Sequence, residues 1–467
     1  MSFSPLRRYL SLPVLAVLVG ASPAPAAAGP APTPAKAATK AKPKAGQEAA
    51  FDLPVQDFTL ANGLRVFVIE DHSTPAFNMT MAYNVGSRDE EVGRTGFAHL
   101  FEHMMFEGSK NVPPMGHLTF VQRVGGNNNA FTSYDVTVYF NNLPSQFLEL
   151  GLWLESDRLR SLEITDENFE NQRKAVKEEK AMRVDNVPYA GAFQDFLSEA
   201  WAGSGYGHTT IGSLEDLDAA QTADVQAFFD KYYTPNNVTL VFVGDVNVAD
   251  LKPMVERYFG DIARGPERPP TPPNNIDRQK PLTKVVGDPL AQQAIYAIGW
   301  HTVGENHPDK YALDLLGNIL LVGDSARVPK VLQDDKKLVA FAGGAHLSLL
   351  DAGLVFIQAM PLPTASFDAI KQVVREEVEK VQKQGITQRE LQKAINAQVM
   401  ETVSTLATNQ GRAMAVAMGA LHHSDPKRVL TDLKKYQEVT PKDIQRVATQ
   451  YLNANWLTLE IKPKAGM

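Results

Sequence analysis

The sequence predicts an α+β protein built of two similar halves. Three observations carry this: strand-like and helix-like patterns alternate along the chain, one unit recurs at a fixed spacing, and a proline-rich stretch divides the chain near its middle. With 467 residues, the chain is also too long for a single small core.

The recurring unit is a helix, a turn and a strand. Asp224-Val225-Gln226 through Tyr232-Tyr233-Thr234-Pro235-Asn236-Asn237-Val238-Thr239-Leu240 overlays Asp443-Ile444-Gln445 through Tyr451-Leu452-Asn453-Ala454-Asn455-Trp456-Leu457-Thr458-Leu459 without a gap, at an offset of 219. Asp, Gln, Tyr, Asn, Thr and Leu coincide, and upstream Leu214 falls on Leu433. The stretch 263–280, rich in proline and polar residues, reads as a linker. It separates an N-terminal domain, 51–262, from a related C-terminal domain, 281–467.

Within the first half, Gly63–Glu70 alternates as a strand and Pro75–Asn84 reads as a second. A helix is expected from Thr95 to Glu107, closed by Gly108. Asn129–Asn141, dense in β-branched and aromatic residues, is strand-like. A long helix is expected from Asp166 to Arg183 with Thr165 as its N-cap, and Val238–Val243 as a buried strand.

The first fifty residues differ. Arg7 and Arg8 precede a short apolar run, Tyr9 to Ala21, and then small residues with Ala24-Pro25-Ala26 and Ala26-Ala27-Ala28 as candidate cleavage sites. This is the three-part pattern of a secretory signal peptide, 1–28, followed by an Ala/Pro/Lys-rich tether, 29–50. The expectation is a periplasmic or secreted bacterial protein. After the leader no apolar stretch is long enough to span a bilayer. Residues 1–50 hold six Lys/Arg and one Glu, which leaves −12 of charge on the rest of a chain whose formal total is −7. An acidic protein is a poor binder of nucleic acid. The absence of cysteine excludes disulfides, thiolate metal sites and cysteine nucleophiles.

The chemistry is concentrated in His99-Leu100-Phe101-Glu102-His103. Residues four apart share a helix face, so both imidazoles can reach one metal ion, with Glu102 beside them. A catalytic zinc takes three protein ligands and leaves a position for water, whose proton a neighbouring carboxylate can accept. The pattern is H-x-x-E-H, the inverted zincin arrangement. The apolar neighbours Leu100, Phe101, Met104, Met105 and Phe106 place it on a largely buried helix, where unpaired imidazoles would need partners. Spacing leaves the third ligand open among Glu178, Glu179, Asp157 and Glu170, although Asp166, Glu167 and Glu170 read best as solvated. His72, His117, His208, His301, His307, His346, His422 and His423 read as ordinary surface or core residues.

These residues resemble the pitrilysin/insulinase family of zinc peptidases, which includes the mitochondrial processing peptidase. The resemblance runs from about 55 to 463 and is carried further by Gly125-Gly126-Asn127-Asn128-Asn129-Ala130-Phe131-Thr132, Asp135-Val136-Thr137-Val138-Tyr139-Phe140, Asn171 to Lys180, Tyr206-Gly207-His208 and Ile211-Gly212. It implies two halves, each a mixed sheet packed with helices, enclosing a chamber. It implies one zinc per chain on His99, His103 and Glu179, with Glu102 as general base. It implies a peptide or unfolded segment added as a strand at Asn129, Ala130 and Phe131. Two positions depart. Gln172 stands where many members carry a second glutamate. Asp334 and Phe341 stand where complete members carry an arginine and, seven residues on, a tyrosine that stabilise the oxyanion. Neither can donate to one. The resemblance therefore implies the zinc-bearing subunit of a heterodimer whose related partner supplies that pair. The alternative is a non-catalytic structural or peptide-binding core subunit.

Overall fold

The computed structural model describes residues 52–464, apart from Pro273. The leader, and all of the tether, lie outside the described residues. Six strands form the first sheet: β1 (Gln56–Thr59), β2 (Arg65–Glu70), β3 (Ala76–Tyr83), β4 (Asn127–Thr132), β5 (Thr137–Pro144) and β6 (Val238–Gly244), in the order β1-β2-β6-β3-β5-β4. Five form the second: β7 (Leu282–Asp288), β8 (Ile295–Thr302), β9 (Val339–Ser348), β10 (Gly353–Pro361) and β11 (Leu457–Pro463), in the order β7-β11-β8-β10-β9. Without β1 the two orders are the same, and each sheet is mixed, with β2–β6 and β7–β11 as the parallel pairs.

The repeat holds at residue level. Helix Thr222–Tyr232 and helix Pro441–Tyr451, like β6 and β11, correspond end to end at the offset of 219. Even the caps match: Gln221 with Asp224 and Thr440 with Asp443 each close a capping box.

The strand-like segment is two strands. Asn129–Asn141 folds into the hairpin β4–β5, turning at Ser133–Val136. Ser133 N–H donates to Val136 O at 2.9 Å, and Ser133 Oγ accepts from the N–H groups of Asp135 and Val136 at 3.2 Å. That local side-chain bonding reverses a segment whose composition is strand-like throughout. The helix expected from Thr95 to Glu107 spans Phe97–Met104 and closes through a tighter turn before Gly108. The helix expected to reach Arg183 is α-helical over Asp166–Lys180, capped by Thr165, and ends in a π-helical turn, Ala181–Asp185.

Strand alternation sends β2 side chains to two cores. Val66 and Val68 pack with the first half's own helices, and Phe67 and Ile69 pack on the opposite face. That opposite face is covered by a helix from the other half, Asn409–His423, which lies on β3 and β6 through Ala413, Met414, Val416, Ala417 and Ala420. The counterpart helix of the first half, Ala190–Ala200, lies on β7 and β11 through Phe193, Phe196 and Leu197. The two helices begin 219 residues apart, so the halves exchange equivalent elements. Polar links reinforce the exchange: Arg412 pairs with Asp71 at 2.6 Å, and Arg88 with Asp351 at 2.7 Å. Phe196 is fully buried in the exchanged core. Phe196→Ala should cost about 3–5 kcal/mol through the cavity it leaves. Urea denaturation reads this as a lower midpoint, and an unchanged midpoint would mean that the exchanged helix contributes little.

Candidate metal site

The H-x-x-E-H helix is anchored at its start. Gly96 sits at φ 91, and a Cβ there would meet Ile211 O at 2.5 Å, so only glycine fits this close backbone approach. The Glu90 carboxylate accepts from Gly96 N–H at 2.8 Å and Ala98 N–H at 2.7 Å, which satisfies donors that a helix N-terminus leaves open. Phe97, Leu100, Phe101 and Met104 point into the core. His99, Glu102 and His103 are left on the face turned toward helix Asp166–Lys180 and β4.

Glu179 reaches both imidazoles with one oxygen. Its Oε2 is 3.1 Å from His103 Nε2 and 3.5 Å from His99 Nε2. One ligand atom from each of the three residues lies within 4.8 Å of the other two. Among the described residues this is the one group of three or more His, Cys, Asp or Glu able to hold a metal ion. Two imidazole nitrogens and a carboxylate oxygen are a donor set that zinc takes. Burial, with His103 close by, holds His99 down at about 4, so its imidazole is neutral as a ligand must be. The hydrogen bond from His103 holds Glu179 down at about 2. Burial disfavours charge on His103, but Glu179, Glu102 and Gln172 outweigh it and raise its pKa. Burial also pushes Glu102 up, opposed by the Thr132 hydroxyl.

The structure thus brings His99, Glu102, His103 and Glu179 together. Glu178 is exposed, and Glu170 pairs with Arg173. Asp157 is buried elsewhere, accepting from Ser109 Oγ at 2.5 Å and Asn111 N–H at 3.1 Å. β4 is one of the two edge strands of its sheet. Its Thr132 hydroxyl donates to Glu102 at 2.7 Å, tying the carboxylate to the sheet edge. Asn129 is exposed and its side-chain oxygen accepts from Ala130 N–H at 2.9 Å. The Ala130 and Phe131 side chains are buried, so only their backbone edge is open to a ligand.

Several contributors were not legible in the sequence. Glu90 and Thr132 are among them, and so is the function of Gln172. Its Oε1 is 3.3 Å from His103 Nδ1, and its amide donates to Glu107. A carboxamide there accepts from Nδ1–H and leaves Nε2 free to ligate, with the Glu107 carboxylate holding the amide. Replacing Gln172 by leucine removes that orientation and should weaken zinc binding by about 10–100-fold, read by chelator competition. Equal affinity would show that the contact orients nothing. His346, read from sequence as an ordinary surface or core residue, is a core residue 2.7 Å from Asp314 and 2.9 Å from Thr302.

A cavity of about 770 Å³ lies between the halves, and none of the four clustered residues lines it. At the offset of 219, His99, His103 and Glu179 fall on Asn318, Val322 and Gln398, all of which do. These positions hold two carboxamides and a valine, none of which suits zinc. Asp334 is exposed and Phe341 lies on β9. Arg327 is taken up by Glu390, at 2.7 and 3.0 Å.

A duplicated two-sheet frame with a two-histidine, one-glutamate cluster on an H-x-x-E-H helix defines the class: an inverted-zincin type of metal site. Comparison with known proteins agrees. Residues 65–213 match the insulinase family (peptidase family M16), and 219–398 match the inactive domain of peptidase family M16. The chain is 29% identical over 412 residues to the zinc protease PqqE of Helicobacter pylori, covering 87% of this chain and 93% of that one. Over 218 residues it is 28% identical to the mitochondrial-processing peptidase subunit beta of Blastocladiella emersonii, 46% of this chain and 47% of that one. The crystal structure of a protease from Helicobacter pylori superposes with a TM-score of 0.82 at 29% identity, covering 88% of this chain and 99% of that one. The periplasmic protease PqqL of Escherichia coli shares the fold, with a TM-score of 0.72 at 18% identity, over 88% of this chain and 48% of that one. The chain belongs to the pitrilysin/insulinase family, peptidase family M16.

Proposed function

We propose that this chain is a zinc metalloendopeptidase acting on peptides or unfolded segments, with His99, His103 and Glu179 holding the zinc and Glu102 as general base. The observation that carries this is the placement of Glu102. It lies on the helix of the two histidines and is hydrogen-bonded to an edge strand of the sheet, where a peptide can add. Zinc bound to this donor set lowers the pKa of a water to about 7 and polarises a carbonyl. An extended peptide pairs with the open edge of β4, displacing the Asn129 side chain from the Ala130 N–H. Such backbone pairing tolerates many sequences. Thr132 orients Glu102, which takes the proton of the attacking water and returns it to the leaving amine. Burial keeps that carboxylate away from bulk water and raises its basicity toward the working range of a base.

The positions that resemble the family's oxyanion pair supply no donor. Asp334 and Phe341 occupy the positions of the arginine and tyrosine, and Arg327 is committed to Glu390. We therefore read the chain as the zinc-bearing subunit of a heterodimer. Adding a related, zinc-less partner that carries the arginine and tyrosine should raise turnover by about 10²–10³-fold, the worth of an oxyanion donor. Full activity of the purified chain alone would remove the partner from the reading.

The same two residues favour a second reading, a structural or peptide-binding core subunit. Stoichiometric zinc without hydrolysis in any assembly would select it. The leader pattern supports a periplasmic or secreted location, testable by N-terminal sequencing of the exported chain.

A further inference from the structure

We propose that Arg183 binds a carboxylate of the peptide beside the bond to be cut, which makes acidic peptides the preferred substrate class. This rests on the zinc-peptidase reading above and deepens it.

Arg183 lies on the π-helical turn Ala181–Asp185, directly after the helix that carries Glu179. Single π-turns of this kind recur at functional sites. The Arg183 Nη1 is 2.5 Å from Glu179 Oε1, while Oε2 of the same carboxylate faces His99 and His103. A guanidinium has five N–H donors. Glu179 is its ion-pair partner among the described residues, and the side chain is 76% exposed. Most of its donors therefore face solvent, one side chain away from the metal cluster. Met182 beside it is also exposed.

A carboxylate suits this guanidinium in charge, shape and position. A dication bound at the cluster would draw on the charge of Glu179 and repel the guanidinium, which would weaken the Arg183–Glu179 pair and free the guanidinium for another anion. The planar fork of an arginine matches a carboxylate in two-point geometry. The spacing also fits. Arg183 and the imidazoles contact opposite oxygens of one carboxylate, and an extended peptide advances about 3.3 Å per residue. An acidic side chain one or two residues from the bond at the metal is thus within reach. The strand that receives the peptide offers Asn127, Asn128 and Asn129, which are neutral. Charge preference falls to Arg183.

The test uses the full chain loaded with zinc and carrying Glu102→Gln, so that binding is read without hydrolysis. Fluorescent peptides identical except for one glutamate replaced by glutamine are titrated by anisotropy, with the substituted position walked along the peptide. The expected result is about tenfold tighter binding of the glutamate peptide at one or two adjacent positions, the worth of one charge-assisted pair. Adding Arg183→Gln should abolish the preference, and Arg183→Glu should turn it toward a lysine peptide. Equal affinity for both peptides with Arg183 intact overturns the proposal. So does a preference that survives Arg183→Gln. Zinc content is measured in each variant. Loss of zinc in Arg183→Gln, with the peptide preference unchanged, would make Arg183 a positioning residue for Glu179 instead. A parent chain that holds no zinc and binds neither peptide would remove the zinc-peptidase reading and this inference together.

Discussion

Glu102→Gln should lower peptide hydrolysis by about 10²–10⁴-fold while one zinc per chain is retained. The substitution keeps the shape of the side chain, and its amide oxygen can still accept from the Thr132 hydroxyl that now donates at 2.7 Å. What is lost is the capacity to hold a proton between the attacking water and the leaving amine. His99, His103 and Glu179 are untouched, so metal content should not move. The measurement is turnover of a mixed set of quenched fluorescent peptides, run on the chain alone and with a related partner, beside elemental analysis for zinc. Activity surviving in the variant would exclude Glu102 as the base. Loss of zinc together with activity would assign Glu102 to holding the site rather than to proton transfer.

His103→Ala should remove stoichiometric zinc altogether. Glu179 Oε2 lies nearer to His103 than to His99, at 3.1 against 3.5 Å, and Gln172 orients the same ring. Losing it leaves two ligands for a metal that takes three in a catalytic site. The loss should exceed the about 10–100-fold expected for the Gln172 change. Stability supplies an independent readout. A ligand that binds only the folded chain stabilises it by about 2.7 kcal/mol at a hundredfold excess over Kd. The parent should therefore melt higher with zinc than after chelation, and the variant should show no such difference. A variant that still binds one zinc and keeps its zinc-dependent shift would place the metal elsewhere.

The residues that came together were of two kinds. His99, Glu102 and His103 were legible because a helix converts spacing into a shared face, and that conversion is local. Glu179 was legible only through resemblance, because spacing had left Glu178, Asp157 and Glu170 beside it. Thr132 and Glu90 were not legible, since a threonine in a strand and a glutamate in a loop carry no signal until the chain folds. The Gln172–Glu107 contact spans 65 residues and depends on the relative rotation of two helices. The turn within Asn129–Asn141 was not legible because the composition is strand-like throughout, whereas Ser133 folds it back through bonds to its own neighbours.

The duplication, most strand and helix types and the H-x-x-E-H helix were legible along the chain, because they follow from periodicity, spacing or identity. Asp334 and Phe341 stood out only through resemblance to the family. Only the folded chain shows that helices Ala190–Ala200 and Asn409–His423 each cover the other half's sheet, that Asn318 and Gln398 line the cavity between the halves, and that Arg183 pairs with Glu179. The physical reason is common to the three. An apolar helix face records that it will be buried but not against which sheet, and a charged side chain records its charge but not its partner. Those choices are made only when distant segments compete for the same surface.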